Sequence, residues 1–124
     1  VIGSQELMVS DHCFLMAQGP CDERCGTCER RATPCFLEDR KGYRFPVTTD
    51  LRGCGHIYNA VPLDVAHAIG DLLRAGIRGF AVDATLMTEG EAEHALNRVR
   101  SGLNGTKVAK LPATTTGHLF RPVE

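Results

Sequence analysis

The chain of 124 residues has little that would commit it to a charged partner or a membrane: its formal net charge is −1, and aromatic residues make up 6% of it, with two tyrosines and five phenylalanines. A near-neutral balance argues against a protein built around attraction to a phosphate backbone. So few rings leave little from which to build a base-stacking surface, and nucleic acid is not an expected partner of this segment. No apolar stretch approaches the roughly 18 residues of a membrane span, and the opening residues do not read as a signal peptide. Neither H-E-x-x-H nor G-x-S-x-G occurs, so the common hydrolase signatures are missing. Internal repeats and low-complexity tracts are absent too.

What the chain has is cysteine, and it is unevenly placed. Four of the six fall in one stretch, C-x7-C-x3-C-x2-C, formed by Cys13, Cys21, Cys25 and Cys28 in CFLMAQGPCDERCGTC. Thiolate sulfur selects soft metals, and four thiolates are the usual complement of a structural zinc or an iron–sulfur cluster. The last three are spaced to curl one short loop around a centre, with Cys13 closing the shell from the preceding strand. The competing readings are a reduced, metal-free thiol group or a disulfide pair. Crowded thiols without a metal are prone to oxidation, which favours the metal. A secreted disulfide scaffold seldom bunches its cysteines in one loop, so the cytoplasm is the expected compartment.

Length fits one domain, read over residues 1–124 with a cysteine loop at 13–35. Glu6–Ser10 reads as a strand delivering His12 and Cys13. Tyr43–Val47 and His56–Tyr58 read as strands joined by a polar turn through Asp50 and Gly53, with Pro46 placing the first at a sheet edge or strand end. Val65, Ala68, Ile69, Leu72 and Leu73 form an apolar stripe for a helix over 64–75, with Asp64 as N-cap and Gly76 past its end. A strand over 78–83 follows. Thr88-Glu89-Gly90-Glu91 is a capping box for a helix over 89–101 with Ala92, Ala95, Leu96 and Val99 on one face. The rhythm is that of (β/α) units, too few to close a barrel, which needs about 250 residues. The chain therefore reads as α/β, a C-terminal piece of a larger protein. Excised barrel edges favour a homodimer or strand exchange.

The residues Leu7-Met8-Val9-Ser10-Asp11-His12-Cys13 followed by Gly19-Pro20-Cys21 resemble the signature of the U32 peptidase family, the collagenase-like proteases. The similarity runs on through Asp39–Tyr43, Ile57-Tyr58-Asn59, Pro62-Leu63-Asp64, Leu72–Ile77 and Thr116-Gly117-His118, from roughly residue 6 to 120. The resemblance implies a TIM-like barrel whose N-terminal portion is this segment's partner, with this segment supplying the last strands and a cysteine-rich metal-binding insertion. It implies either a peptidase or the iron–sulfur component of an oxygen-independent hydroxylation enzyme, with a 4Fe-4S cluster on four cysteines; zinc is plausible in the isolated domain. By position, Cys13 and Cys21 match the family's first pair. The other two ligands are either Cys25 and Cys28, the preferred local set, or Cys35 and Cys54 downstream.

The family's Lys-Ile-Glu-Gly-Arg-like motif is replaced here by Phe80-Ala81-Val82-Asp83-Ala84-Thr85, which leaves only Asp83 as a carboxylate. Catalytic residues are therefore not assigned, and no peptidase activity is expected of this chain by itself. C-x3-C-x2-C is also the radical S-adenosylmethionine spacing, but the further motifs of those enzymes are missing. His12 and His56 neighbour Cys13 and Cys54, where either could replace a thiolate on zinc; each reads first as a hydrogen-bond donor near the centre or as a surface residue. Arg30 and Arg31 either steady a negatively charged thiolate centre or form a solvated basic pair. A zinc-ribbon-like interaction module remains the alternative outside enzymology.

Overall fold

The structure is a computed structural model describing residues 2–120. It is mixed α/β and divides into two compact units, one of residues 2–5 and 61–120 and one of Glu6–Ala60.

The first unit pairs β1 (Ile2–Gly3) with β6 (Val82–Asp83) in parallel. Between them in sequence lies α1 (Ile69–Arg74), and α2 (Glu89–Leu103) follows β6. Parallel strands need a crossover, and here a helix supplies part of it. Ile2, Val65, Ala66, Ile69, Ala95 and Val99 form the core, with Leu63, Leu72, Leu73, Phe80 and Val82 packed around it. The stripe expected around Val65–Leu73 is thus the buried one.

The expected helix over 64–75 is shorter. A 3-10 turn at Ala66–Ala68 precedes α1, and Ala68 rather than Asp64 stands at the α-helical N-terminus. The reason lies in Asp64 itself. Its Oδ1 accepts from the Ala66 N–H at 2.9 Å, which makes a local turn instead of a helix cap. The far end follows the sequence closely. Gly76, at φ +95°, donates its N–H to Leu73 O while the Ile77 N–H reaches Leu72 O, the paired bonds of a Schellman stop.

In α2 the buried positions are Ala95, Val99 and Gly102, with Ala92 half-buried. Leu96, expected on that face, is 44% exposed because it lies one position off the stripe. The strand expected over 78–83 pairs only at Val82 and Asp83, since its partner β1 is itself two residues long.

Thr88 and Glu91 complete both halves of the capping box. The Thr88 N–H donates to Glu91 Oε2 at 2.8 Å, and the Glu91 N–H donates to Thr88 Oγ1 at 3.3 Å. These bonds, first from the Thr88 N–H and then from its hydroxyl, hold the Glu91 carboxyl below its usual range. A lowered carboxylate contributes stability that is present above its unfolded pKa and lost as pH falls through the folded one. Thr88→Ala is expected to cost about 1 kcal/mol near neutrality. Glu91→Gln should flatten the acid limb of the stability profile. Urea unfolding across the acidic range checks both, and an unchanged acid limb would contradict the assignment.

The second unit is an antiparallel sheet in the order β2-β5-β4-β3, built from β2 (Glu6–Ser10), β3 (Cys35–Glu38), β4 (Arg44–Thr49) and β5 (Gly55–Tyr58). Val47, Ile57 and Tyr58 are buried, and so is Leu15 from the cysteine loop. Pro46 sits on an inner strand, which differs from an edge placement. Pairing of β4 with β5 begins only at Val47, so on that side Pro46 occupies the strand end, where its missing N–H costs no ladder bond. Strand β3 was not expected from the sequence. It pairs Cys35 through Glu38 with Val47 through Arg44, and the Arg44 guanidinium lies 4.4 Å from the Phe36 ring centroid. Among the described residues no helix is long and apolar enough to cross a membrane.

Candidate metal centre

The cysteine loop is shaped by short 3-10 turns that open at or beside its cysteines. Cys13 O accepts from the Met16 N–H, Cys25 O from the Cys28 N–H, and Cys28 O from the Arg31 N–H. Such turns suit a segment that must change direction every few residues and cannot sustain an α-helix. The Glu23 N–H donates to Cys21 Sγ at 3.3 Å.

Two arginines hold this loop. Arg30 donates through Nη1 to Gly19 O at 3.0 Å and Leu15 O at 3.4 Å, and through Nη2 to Pro20 O at 2.9 Å. Arg31 donates through Nε to Thr49 O at 2.9 Å and through Nη1 to Cys25 O at 3.1 Å. Neither is a solvated basic pair. The guanidinium forks are spent on backbone carbonyls that the loop leaves without helical partners.

All six cysteines are free thiols. The Cys25 thiol is pushed up from its ordinary range, first by burial and then by the neighbouring thiols of Cys13, Cys21 and Cys28. Cys13, Cys21 and Cys28 therefore each lie within electrostatic reach of Cys25. Cys35 and Cys54 are not among the groups that shift it. Cys35 lies on β3 opposite Val47, and Cys54 Sγ is 4.0 Å from Asp11 Oδ1. Among the described residues, no group of three or more His, Cys, Asp or Glu side chains is arranged to hold a metal ion. Cys21 and Cys28 line an open cleft of about 440 Å³, together with Asp22, Arg24, Glu29 and Arg30.

His12 and His56 have other neighbours. His12 stacks edge-on against Phe14, ring centroids 5.3 Å apart. His56 lies between two carboxylates, Nδ1 3.3 Å from Glu6 Oε2 and Nε2 3.7 Å from Asp50 Oδ2. Asp50 in turn shapes the β4–β5 turn, accepting from the Arg52 and Cys54 N–H groups at 2.8 and 2.9 Å. The Cys54 N–H, followed by the Arg52 N–H and guanidinium, keeps the Asp50 carboxyl low despite opposing desolvation. Asp83 accepts from the Thr85 N–H at 3.0 Å, which is a turn-forming role at the end of β6.

The arginine-to-carbonyl bonds and the approach of the Asp50 turn to Cys25 were not foreseen from the sequence. Carbonyl acceptors carry no residue signature. Asp50 with Gly53 did signal a turn, but nothing local announced that this turn would abut Cys25. Compared with protein-family models, with curated proteins and with solved structures, the chain matches none.

Proposed function

We propose that Cys13, Cys21, Cys25 and Cys28 bind one thiolate-ligated centre, a 4Fe-4S cluster or zinc, in the C-terminal region of a U32 peptidase-like protein. What supports this reading is that the four cysteines fall in one short loop, that Cys21 and Cys28 line one cleft, and that Cys25, pushed up first by burial, also feels the thiols of Cys13, Cys21 and Cys28. Nearby thiols repel one another once ionised, so the arrangement calls for a cation to offset their charge. The present spacing implies that the loop tightens as the metal binds, with sulfurs reaching about 2.3 Å from zinc. Metal binding and local folding would then be coupled.

The order β1–α1–β6–α2, with a parallel strand pair, supports the further reading that the first unit belongs to the end of a (β/α) barrel. The cysteine-bearing unit, Glu6–Ala60, then stands in sequence as an insertion after β1. Its partner is the N-terminal barrel portion of the same protein. Leu7, Met8 and Val9 on β2, 51%, 52% and 52% exposed, suit contact with a second copy. A reducing, cytoplasmic setting agrees with six unpaired thiols.

Anaerobic purification with elemental analysis tests the centre. A brown protein bleached by air signifies iron–sulfur, whereas a colourless one holding stoichiometric zinc signifies a structural site. Binding must displace thiol protons, and burial makes the Cys25 thiol hold its proton more tightly than an ordinary thiol. Apparent zinc affinity should therefore climb with pH by more than about tenfold per unit, since more than one thiol ionises per metal bound. A pH-independent affinity would sink the reading.

A further inference from the structure

We propose that Arg31 and the turn Asp50–Cys54 form a clasp that holds Cys25 in place for the metal, although neither supplies a ligand atom. The inference rests on the reading of Cys13, Cys21, Cys25 and Cys28 as the shell and adds the residues that set its affinity.

Cys25 needs outside support. Between Cys21 and Cys28 the regular structure is a single 3-10 turn, Cys25–Thr27, with no side-chain cap. An isolated turn of that length is not stable by itself. A thiol carried on it would lose conformational freedom on binding metal, at the expense of affinity.

The support comes from two sides. On the backbone side, Arg31 bridges Cys25 O (3.1 Å) and Thr49 O (2.9 Å), so the ligand's own peptide is tied to the last residue of β4. On the sulfur side stands Gly53, held in a turn where the Asp50 N–H donates to Cys54 O at 3.0 Å and the Gly53 N–H to Asp50 O at 3.2 Å. Gly53 has φ +87°, and a Cβ there would lie 3.1 Å from Cys25 Sγ. Only glycine allows both the backbone conformation and the approach of sulfur. Thr49 and Asp50 are consecutive, so one β4–β5 connection receives Cys25 from both directions. Arginine suits the bridge because its planar fork donates along two directions at once, which a lysine ammonium on a flexible stem does not reproduce.

Groups that orient a ligand typically alter metal affinity about 10–100-fold. Zinc affinity of the full chain, measured by competition with a chromogenic chelator, should fall by about that factor in Arg31→Ala. Arg31→Lys should recover little of it. Gly53→Ala should also weaken binding, by a route independent of the arginine. With Co²⁺ as probe, both Arg31→Ala and Gly53→Ala should lose thiolate-to-metal charge-transfer intensity.

The decisive arm is the Cys25→Ser background, where residual binding relies on three thiolates. There Arg31→Ala should add less than about twofold, because the residue acts through Cys25. An equal loss in both backgrounds would mean general destabilisation and would overturn the clasp. So would a wild-type affinity in both Arg31→Ala and Gly53→Ala. A parent chain that binds neither Zn²⁺ nor Co²⁺ would instead overturn the shell reading beneath it.

Discussion

Serine at any one of positions 13, 21, 25 or 28 should leave the purified chain without its metal, while Cys35→Ser and Cys54→Ser should retain it. A hydroxyl is a harder and far less acidic donor than a thiol, so the exchange removes a ligand with almost no change in volume. Four-thiolate zinc sites gain on the order of 10–16 kcal/mol near neutral pH, and losing one donor from such a shell leaves binding too weak to survive purification. The contrast between the two groups of variants follows from their positions. Cys13, Cys21 and Cys28 all act on the Cys25 thiol, whereas Cys35 is paired into β3 and Cys54 faces Asp11. Metal content by elemental analysis reads the result. Loss in Cys54→Ser with retention in Cys28→Ser would transfer the shell to the downstream cysteines.

The second large effect lies far from the thiols. Arg98→Ala should destabilise the first unit by about 3–5 kcal/mol, the range for removing one partner of a buried ion pair. The side chains of Arg98 and Asp64 are 11% and 6% exposed, and Nε and Nη2 meet the two carboxylate oxygens at 3.1 and 3.2 Å. Nη2 also donates to Ala109 O at 2.9 Å, so the guanidinium joins α2, the turn before α1 and the segment after α2. Without it, Asp64 would be a buried carboxylate deprived of its charge partner. Urea unfolding of the variant measures the loss. A change below about 1 kcal/mol would place the pair among solvated salt bridges and remove it as an organiser of this unit.

The same pair shows where sequence reasoning stops. Thr88 with Glu91, and Gly76 with its preceding leucines, were legible because every partner lies within one or two turns. Asp64 looked like a helix cap because its local neighbours allow one. Its carboxylate instead turns back on the Ala66 N–H and meets Arg98, 34 residues away, a partner that no local pattern announces. Strand β3 was hidden for a related reason. Cys35-Phe36-Leu37-Glu38 is short, and its alternation acquires meaning only once Arg44–Val47 lies beside it. The mixed α/β class was readable from helical and strand periodicity; the antiparallel order β2-β5-β4-β3 was not, since register depends on pairings between distant segments.

The candidate site divides in the same way. Spacing alone singled out Cys13, Cys21, Cys25 and Cys28 as candidates, because a loop of so few residues leaves its thiols little room to separate. Arg30 and Arg31 were legible only as charges. Their guanidiniums bind carbonyls of Leu15, Gly19, Pro20, Cys25 and Thr49, acceptors that every residue type shares. The apposition of Gly53 and Cys25 needed the β4–β5 turn to be placed against the loop in three dimensions.

Thiol counting bears most directly on the central claim that four named cysteines hold one metal centre. The anaerobically purified chain is treated with an alkylating reagent before and after metal removal by a chelator, and the modified residues are located by mass spectrometry. Of the six cysteines, Cys13, Cys21, Cys25 and Cys28 should be protected until the metal is withdrawn, with Cys35 and Cys54 reacting from the outset. Equal reactivity of all six before and after chelation would contradict the claim.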